Sequence, residues 1–221
     1  MKFIQQKGTN LPYIAVVPSD YTGQRPLHCL VLLHGYGSHM EALASLGPSI
    51  DATDYIYICP NAPIQIDLGF GQKGYAWFPI GENRTAEDLY QAVESINDTL
   101  EEALGQFPIN REKIFIGGFS QGGMIAMHAG LTKPEMFKGA LILSSRIILE
   151  DELLSSTKEA SKIPIFMSHG TIDNVIPISE GRHANDVLTN NGYSVEFHEY
   201  DMAHQIIDET IKDVAAWISQ I

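Results

Sequence analysis

The chain has 221 residues, of which 44% are hydrophobic and 19% charged, and its formal net charge is −13. This length supports one substantial core, so we expect a single domain over residues 1–221, and the negative charge argues against nucleic-acid partners, which require clustered Lys and Arg. No window reaches the roughly 18 uninterrupted apolar residues of a membrane span, and the first residues turn polar too early for a secretory signal, so we expect no stable membrane insertion and a cytoplasmic location.

Short apolar runs alternate along the chain with longer stretches of helical periodicity. Strands are predicted at 2–4, 13–18, 29–34, 55–60, 113–118, 139–145, 164–170 and 195–200, and most of these runs are continuously apolar, as in strands covered on both faces. Apolar residues at three- and four-residue spacing predict helices over 85–107, 121–133, 178–191 and 204–220. This alternation indicates an α/β protein with a mostly parallel, twisted sheet and helices on both faces, and the short segment between the first two strands allows an antiparallel start.

One segment, residues 60–84, does not follow this alternation. It is rich in glycine and proline, and we interpret it as a long loop without regular structure. The loop carries apolar side chains, namely Ile64, Ile66, Leu68, Phe70, Trp77 and Phe78. Two interpretations remain open on pattern alone: the loop folds under the domain as a satellite core, or it lines an apolar substrate site.

The cysteines and histidines indicate neither a redox centre nor a metal site. Cys29 and Cys59 lie in apolar runs typical of buried strands, so we expect free core thiols. His34 and His39 are five residues apart and have no Cys or carboxylate at ligand spacing, so we expect no bound metal.

The sequence Gly118-Phe119-Ser120-Gln121-Gly122 lies between a predicted strand and a predicted helix. This is the G-x-S-x-G pattern in the strand-turn-helix context that exposes a nucleophilic serine. Glycines flank the turn because a Cβ there would collide where strand and helix approach. The Gln121 amide then lies at a helix start, where unpaired N–H groups favour negative charge. The alternative is a glycine-rich turn that only joins two elements.

A serine nucleophile needs a base and a group that orients the base. In this type of fold the partners follow the serine in the order acid, then histidine, each after a later strand. Asp173 follows the strand at 164–170 and His204 follows the strand at 195–200, so we predict Ser120, Asp173 and His204 as the catalytic groups. Competing candidates fit less well: His198 within a strand, His128 within a helix, His169 too close to Asp173 in sequence, and Asp201 three residues from His204.

A second backbone donor for an oxyanion is expected in the loop after an early strand. His34-Gly35-Tyr36-Gly37 follows the buried run at 29–34, and its two glycines let the backbone direct N–H groups toward the site. We predict the Tyr36 amide as this donor beside that of Gln121. An ordinary strand-to-helix turn is the alternative.

The motifs HGYG (34–37), GFSQGG (118–123), HGTIDNVIP (169–177) and MAHQI (202–206), together with PNAP (60–63) and WF (77–78), resemble the phospholipase/carboxylesterase family of α/β-hydrolases. The resemblance runs in order from about residue 27 to the end of the chain. It implies an α/β-hydrolase fold without a cap domain, Ser120, Asp173 and His204 as the triad, and the Tyr36 and Gln121 amides as the oxyanion hole. Pro79, Ala203 and Tyr36 stand where the family usually has Asp, Gly and Leu.

The family resemblance also implies that the 60–84 loop borders the acyl-binding groove, with Leu68, Phe70, Trp77 and Phe78 as substrate contacts. Members of the family hydrolyse esters or thioesters without a cofactor, so we expect a serine carboxylesterase acting on small-molecule or lipid-like esters, as a monomer or homodimer. An acyl-protein thioesterase or an acyltransferase on the same fold is an alternative, since both pass through the same acyl-enzyme. A non-catalytic binding protein is disfavoured by the complete triad.

Overall fold

The computed structural model describes residues 1–81, 85–157 and 162–221. The described strands are β1 (Lys2–Gln6), β2 (Tyr13–Val17), β3 (Leu27–Leu33), β4 (Tyr55–Pro60), β5 (Ile64–Gly69), β6 (Gln72–Ala76), β7 (Ile109–Phe119), β8 (Gly139–Leu143), β9 (Ile165–Gly170) and β10 (Val195–Tyr200). The described helices are α1 (Met40–Ala44), α2 (Gly47–Ile50), α3 (Ala86–Gln106), α4 (Gln121–Thr132), α5 (Glu150–Ser156), α6 (Ile178–Asn190) and α7 (Asp208–Gln220).

Eight strands form the central sheet in the order β1-β2-β4-β3-β7-β8-β9-β10. Strand β2 pairs antiparallel with both of its neighbours, whereas every pair from β4 to β10 is parallel. The prediction of a mostly parallel sheet with an antiparallel start is therefore confirmed. The central strands are buried along nearly their whole length because both faces of the sheet are covered.

Helices cover the sheet on two faces, each with its own core. Side chains from α3, α4, α5 and α6 pack on one face, where Leu89, Ile96 and Ile125 are fully buried. Side chains from α1 and α7 pack on the other face, with Leu43, Val214 and Trp217. The two cysteines lie on adjacent strands, and both are free and buried. In the described ranges no helix is both long and apolar enough to span a bilayer.

The prediction of a long loop without regular structure over residues 60–84 is wrong for residues 64–76. Residues Ile64–Gly69 and Gln72–Ala76 form a two-stranded antiparallel hairpin outside the main sheet. Backbone hydrogen bonds hold it to the loop after β3, from the Gly37 amide to the Tyr75 carbonyl at 2.9 Å and from the Tyr75 amide to the Ser38 carbonyl at 3.0 Å. Residues 82–84 of the predicted loop lie outside the described residues.

Differences elsewhere are small. Helix α7 begins at Asp208, four residues later than predicted, because residues 201–207 form turns that follow β10. The short helices α1, α2 and α5 were not predicted, since segments of four to seven residues hold too few apolar positions for a helical stripe. The parallel strands β3, β7, β9 and β10 all end at one edge of the sheet, so the loops after them meet there.

Candidate active site

Ser120 occupies a strained turn between β7 and α4. Its backbone has φ 55° and ψ −118°, a conformation that side-chain-bearing residues rarely adopt. A Cβ at Gly118 would lie 2.2 Å from the carbonyl carbon of Gly122, and a Cβ at Gly122 would lie 2.1 Å from the carbonyl oxygen of Leu33. Both glycines are therefore required by close backbone approach, which confirms the reason given for the G-x-S-x-G spacing.

The backbone of Ser120 is fixed by β8 and the segment that follows it. The Ser120 amide donates to the Leu143 carbonyl at 2.9 Å, and the Ser120 carbonyl accepts from the Ser145 hydroxyl at 2.8 Å. These hydrogen bonds hold the strained turn in place, so the side chain is presented from a rigid support.

Asp173 follows β9, and both oxygens of its carboxylate accept hydrogen bonds. Oδ1 accepts from the Val175 and Ile176 amides, each at 2.9 Å, and Oδ2 lies 2.7 Å from Nδ1 of His204. Burial raises the pKa of the Asp173 carboxyl, but the hydrogen bonds from His204, Ile176 and Val175 outweigh it, so the pKa lies below its ordinary value. The carboxylate is therefore charged at neutral pH and holds the imidazole.

His204 lies in the turns between β10 and α7. Because Nδ1 donates to Asp173, Nε2 is the nitrogen left to act on another group. The imidazole also packs against the ring of Phe119, the residue before Ser120, with 4.7 Å between ring centroids. Gly170 allows the backbone before His204 to lie close to the end of β9, since a Cβ at this position would lie 2.1 Å from the Met202 carbonyl oxygen.

Ser120 and His204 line the same cavity. Phe119, the residue before Ser120, lines it as well and packs its ring against the imidazole of His204. Within the described residues, no hydrogen bond links the Ser120 hydroxyl to the imidazole. Catalytic hydrogen bonds of this kind are often long in the free enzyme and shorten when substrate binds. The geometry thus joins Asp173 to His204 directly and brings His204 to the cavity that Ser120 opens into.

The predicted oxyanion donors, the Tyr36 and Gln121 amides, flank Ser120. Across the described ranges, neither N–H has a hydrogen-bond acceptor in the protein. Both residues line a cavity with Ser120. Two unused amides beside a serine hydroxyl are an arrangement that can stabilise a developing oxyanion.

His34 orients one of these amides, a role that sequence reasoning missed. Its Nδ1 donates to the Gly35 carbonyl at 2.8 Å, and its Nε2 accepts from the Ala62 amide at 3.1 Å. The Gly35 carbonyl and the Tyr36 N–H belong to one trans peptide and point in opposite directions. Fixing the carbonyl on one side therefore fixes the N–H on the other. Burial lowers the pKa of His34 to about 4, so the ring is neutral and can accept.

The competing residues have other partners. His128 is buried and donates from Nε2 to the Ile148 carbonyl at 2.8 Å, and His198 lies 2.8 Å from the Glu196 carboxylate. His169 comes closer to the site than its sequence position suggested, with Nε2 at 3.5 Å from Oδ2 of Asp173. Its shorter contact is to the Ile176 carbonyl at 2.8 Å, so it supports the loop that carries Asp173.

Two cavities meet at Ser120, and both are lined by Ser120, Tyr36 and Val175. The first, which we call the Arg146 cavity, measures about 350 Å³ and is also lined by Phe78, Ile80, Met124, Arg146 and Glu180. The second, the His204 cavity, measures about 450 Å³ and is also lined by Leu43, Leu46, Phe119, His204 and Ile206. Both volumes lie in the range of small-molecule sites.

The four predicted substrate contacts occupy different positions. Phe78 lines the Arg146 cavity, whereas Leu68 borders a separate depression beside Tyr36. Trp77 is buried in the core and lines neither cavity, because its indole N–H donates to the His34 carbonyl at 2.7 Å. Phe70 lies at the tip of the β5–β6 hairpin, where its side chain is fully exposed and also lines neither cavity.

Three side-chain contributions to the site were not predicted from sequence, those of Gln121, Arg146 and Glu180. Gln121 contributes its side chain as well as its amide: Oε1 accepts from the Trp77 amide at 2.9 Å, and Nε2 donates to the Phe78 carbonyl at 2.8 Å. Arg146 and Glu180 place charges in one cavity, but no spacing in the sequence connects them. Among the residues that the structure describes, no group of three or more His, Cys, Asp or Glu side chains could hold a metal ion.

Comparison with known proteins places the chain in a family. The family model described as Phospholipase/Carboxylesterase matches residues 15–221. Acyl-protein thioesterase 1 of Mycosarcoma maydis is 30% identical, with 93% of this chain and 96% of that protein covered. Carboxylesterase SOBER1 of Arabidopsis thaliana is 26% identical, covering 86% of this chain and 89% of that protein.

Comparison with solved structures agrees with the family match. The crystal structure of esterase PE8 superposes with a TM-score of 0.80 at 26% identity and covers 100% of both chains. Its agreement with the central sheet described above identifies the fold as that of an α/β-hydrolase. This chain belongs to the phospholipase/carboxylesterase family of α/β-hydrolases.

Proposed function

We propose that the protein is a serine esterase that hydrolyses carboxylic esters and thioesters through an acyl-enzyme intermediate. The observation that carries the proposal is the 2.7 Å hydrogen bond between His204 and Asp173 at a cavity that Ser120 also lines. Family membership supports the same chemistry, since relatives of this chain bear the names carboxylesterase and acyl-protein thioesterase.

In the proposed mechanism, His204 Nε2 takes the proton of the Ser120 hydroxyl as its oxygen attacks the substrate carbonyl. Asp173 holds the imidazole in the required tautomer and stabilises its positive charge. The Tyr36 and Gln121 amides receive the oxyanion, and protonated His204 then gives its proton to the departing alcohol or thiol. Water repeats the sequence on the acyl-enzyme and releases the acid.

The substrate is proposed to be a small-molecule or lipid-like ester with a short or medium acyl group. Apolar side chains line both cavities, and Phe78, Ile80 and Met124 surround the space beside Ser120. Of the four residues expected to contact substrate, Phe78 is the one that the cavity lining supports directly. No cofactor takes part in this mechanism.

Thioester hydrolysis on an acylated protein is a second candidate, favoured by the relative named acyl-protein thioesterase 1. The apolar side chains of Tyr36 and Val175 at the junction of the cavities are exposed, so a bulky carrier can approach the site from solvent. Oxyester and thioester substrates with matched acyl chains separate the two candidates.

The test is a rate series over p-nitrophenyl esters of increasing acyl length, with matched thioesters, for the wild type and Ser120→Ala. We expect hydrolysis that depends on Ser120 and falls by several orders of magnitude in the variant. Hydrolysis that persists in a folded Ser120→Ala variant would refute the proposal.

We further propose that residues 1–221 fold as one domain and that the protein is cytoplasmic. The buried free thiols of Cys29 and Cys59 support a reducing compartment. Cell fractionation tests the location, a single cooperative unfolding transition tests the domain assignment, and light scattering distinguishes a monomer from a homodimer.

A further inference from the structure

The Arg146 cavity combines apolar walls with a charged group that the proposed mechanism does not use. Phe78, Ile80 and Met124 line it together with the Arg146 side chain and its neighbour Glu180. An arginine beside apolar walls can recognise an anionic group through its charge and through the planar geometry of its guanidinium.

Arg146 is weakly partnered within the described residues. Its Nη1 lies 4.0 Å from Oε2 of Glu180, at the limit of an ion pair, and both side chains are more than 40% exposed. Its Nε is enclosed and has no acceptor in the described part of the chain. The guanidinium therefore has unused donors, and its planar fork matches the two oxygens of a carboxylate.

The position of His204 decides which part of a substrate enters this cavity. His204 must give its proton to the departing oxygen or sulfur, so the leaving group has to lie on its side of Ser120. His204 lines the His204 cavity and does not line the Arg146 cavity. The acyl group, on the other side of the attacked carbonyl, therefore extends toward Arg146.

From these relationships we infer that Arg146 is a specificity residue that binds a carboxylate at the far end of the acyl group, so that half-esters of short dicarboxylic acids are substrates. The inference rests on the proposed esterase function. Glu180 competes for the same guanidinium, and the bound carboxylate replaces this long contact with charge-assisted hydrogen bonds. The apolar walls hold the methylene groups between the two carbonyl carbons.

The test compares p-nitrophenyl hydrogen adipate with p-nitrophenyl hexanoate, which have acyl chains of equal length and differ in the terminal carboxylate. The measured quantity is the ratio of their kcat/KM values, with the rate in Ser120→Ala protein subtracted as background. Arg146→Gln is expected to lower this ratio roughly tenfold to a hundredfold, the range for loss of a charged hydrogen bond, and the loss should lie mainly in the KM of the adipate ester.

Three further variants serve as comparisons for Arg146→Gln. Arg182→Gln removes an arginine that pairs with Glu199 at the surface, at 2.7 Å, and is expected to leave the ratio within twofold of wild type. Glu180→Gln removes the competing carboxylate and should raise the ratio. Arg146→Lys keeps the charge but not the fork, so it should lower the ratio even where Arg146→Gln fails to fold.

The outcomes separate this inference from the proposed function. A ratio in folded Arg146→Gln that stays within threefold of wild type, while hexanoate is hydrolysed through Ser120, overturns the inference alone. A Glu180→Gln ratio that does not rise contradicts the competition between the two carboxylates. Absence of Ser120-dependent hydrolysis of either ester overturns the proposed function itself.

Discussion

The side-chain oxygen of Gln121 accepts a hydrogen bond from the Trp77 amide at 2.9 Å, while its side-chain nitrogen donates to the Phe78 carbonyl at 2.8 Å. The residue proposed to bind the oxyanion through its backbone thus also holds the segment that follows the β5–β6 hairpin. One side chain thereby couples a cavity wall to the strained turn that carries Ser120.

Gln121→Ala is expected to destabilise the protein by about 1–3 kcal/mol, because the buried Trp77 amide loses its side-chain acceptor. Its backbone amide remains, so activity should fall because the cavity wall at Phe78 shifts, with KM affected as well as kcat. Urea unfolding and ester kinetics measure the two effects. Gln91→Ala, which removes an exposed side-chain contact to Glu87 on α3, is the control. Equal stability of the two variants would contradict this account.

Replacing glycine by alanine should change the stability of the protein in opposite directions at Gly122 and at Gly105. Gly122→Ala places a Cβ 2.1 Å from the Leu33 carbonyl oxygen, and we expect a loss of about 3 kcal/mol of stability together with loss of activity. At Gly105, near the end of α3, a Cβ meets nothing within 4 Å. Gly105→Ala should therefore stabilise the protein by about 0.5–1 kcal/mol. Thermal unfolding of both variants measures the two signs, and a tolerated Gly122→Ala would show that the strand and helix can separate.

Asp173→Asn is expected to preserve the fold and reduce turnover by roughly four orders of magnitude, as in other serine triads. An asparagine side-chain oxygen can still accept from the Val175 and Ile176 amides, but its NH₂ cannot accept the His204 proton. Because the pKa of Asp173 lies below its ordinary value, the acid limb of the pH–rate profile should not arise from this carboxyl. Asp201→Asn, at the exposed carboxylate near His204, is the control and should retain turnover.

Stability should fall as the pH drops below about 6.5. Burial lowers the pKa values of His34 and His128 to about 4, from 6.5 in the unfolded chain. Between these values the unfolded state binds more protons, so the free energy of unfolding decreases as the pH falls toward 4. Lowering the pKa from 6.5 to about 4 corresponds to about 3 kcal/mol for each histidine.

Urea unfolding at several pH values measures this dependence. His128→Gln should have a shallower decline than wild type, because one of the two depressed groups is gone, although its stability at neutral pH is lower. His39→Gln serves as the control, since that side chain is exposed beside Glu41. An unchanged slope in His128→Gln would contradict the assignment.

Much of the site was predictable from sequence because parallel strands bring their carboxyl ends to one edge. Asp173 and His204 each follow a segment that was correctly predicted to be a strand, so their positions could be inferred without knowing any distance. The β5–β6 hairpin was missed although Ile64, Ile66 and Leu68 alternate with polar residues, because the glycine and proline content of residues 60–84 indicated a loop. The buried position of Trp77 depends on a hydrogen bond to the His34 carbonyl, a contact between distant segments that periodicity does not reveal.

The shared cavity of Arg146 and Glu180 is likewise a contact between distant segments that sequence patterns do not reveal. Arg146 follows the end of β8 and Glu180 lies in the first turn of α6, and no motif in either segment indicates that they share a cavity. Charged residues near strand ends are common at protein surfaces, so their position beside Ser120 became visible only in three dimensions.

Fluorophosphonate labelling tests the central claim most directly, because the reagent forms a covalent bond with a serine that an adjacent base activates. Mass spectrometry of the wild type should locate one phosphonyl group on the peptide that contains Ser120. The label should be absent in Ser120→Ala and slow to form in His204→Ala. Folded wild-type protein that resists the reagent, or that carries the label on a different residue, would contradict the account.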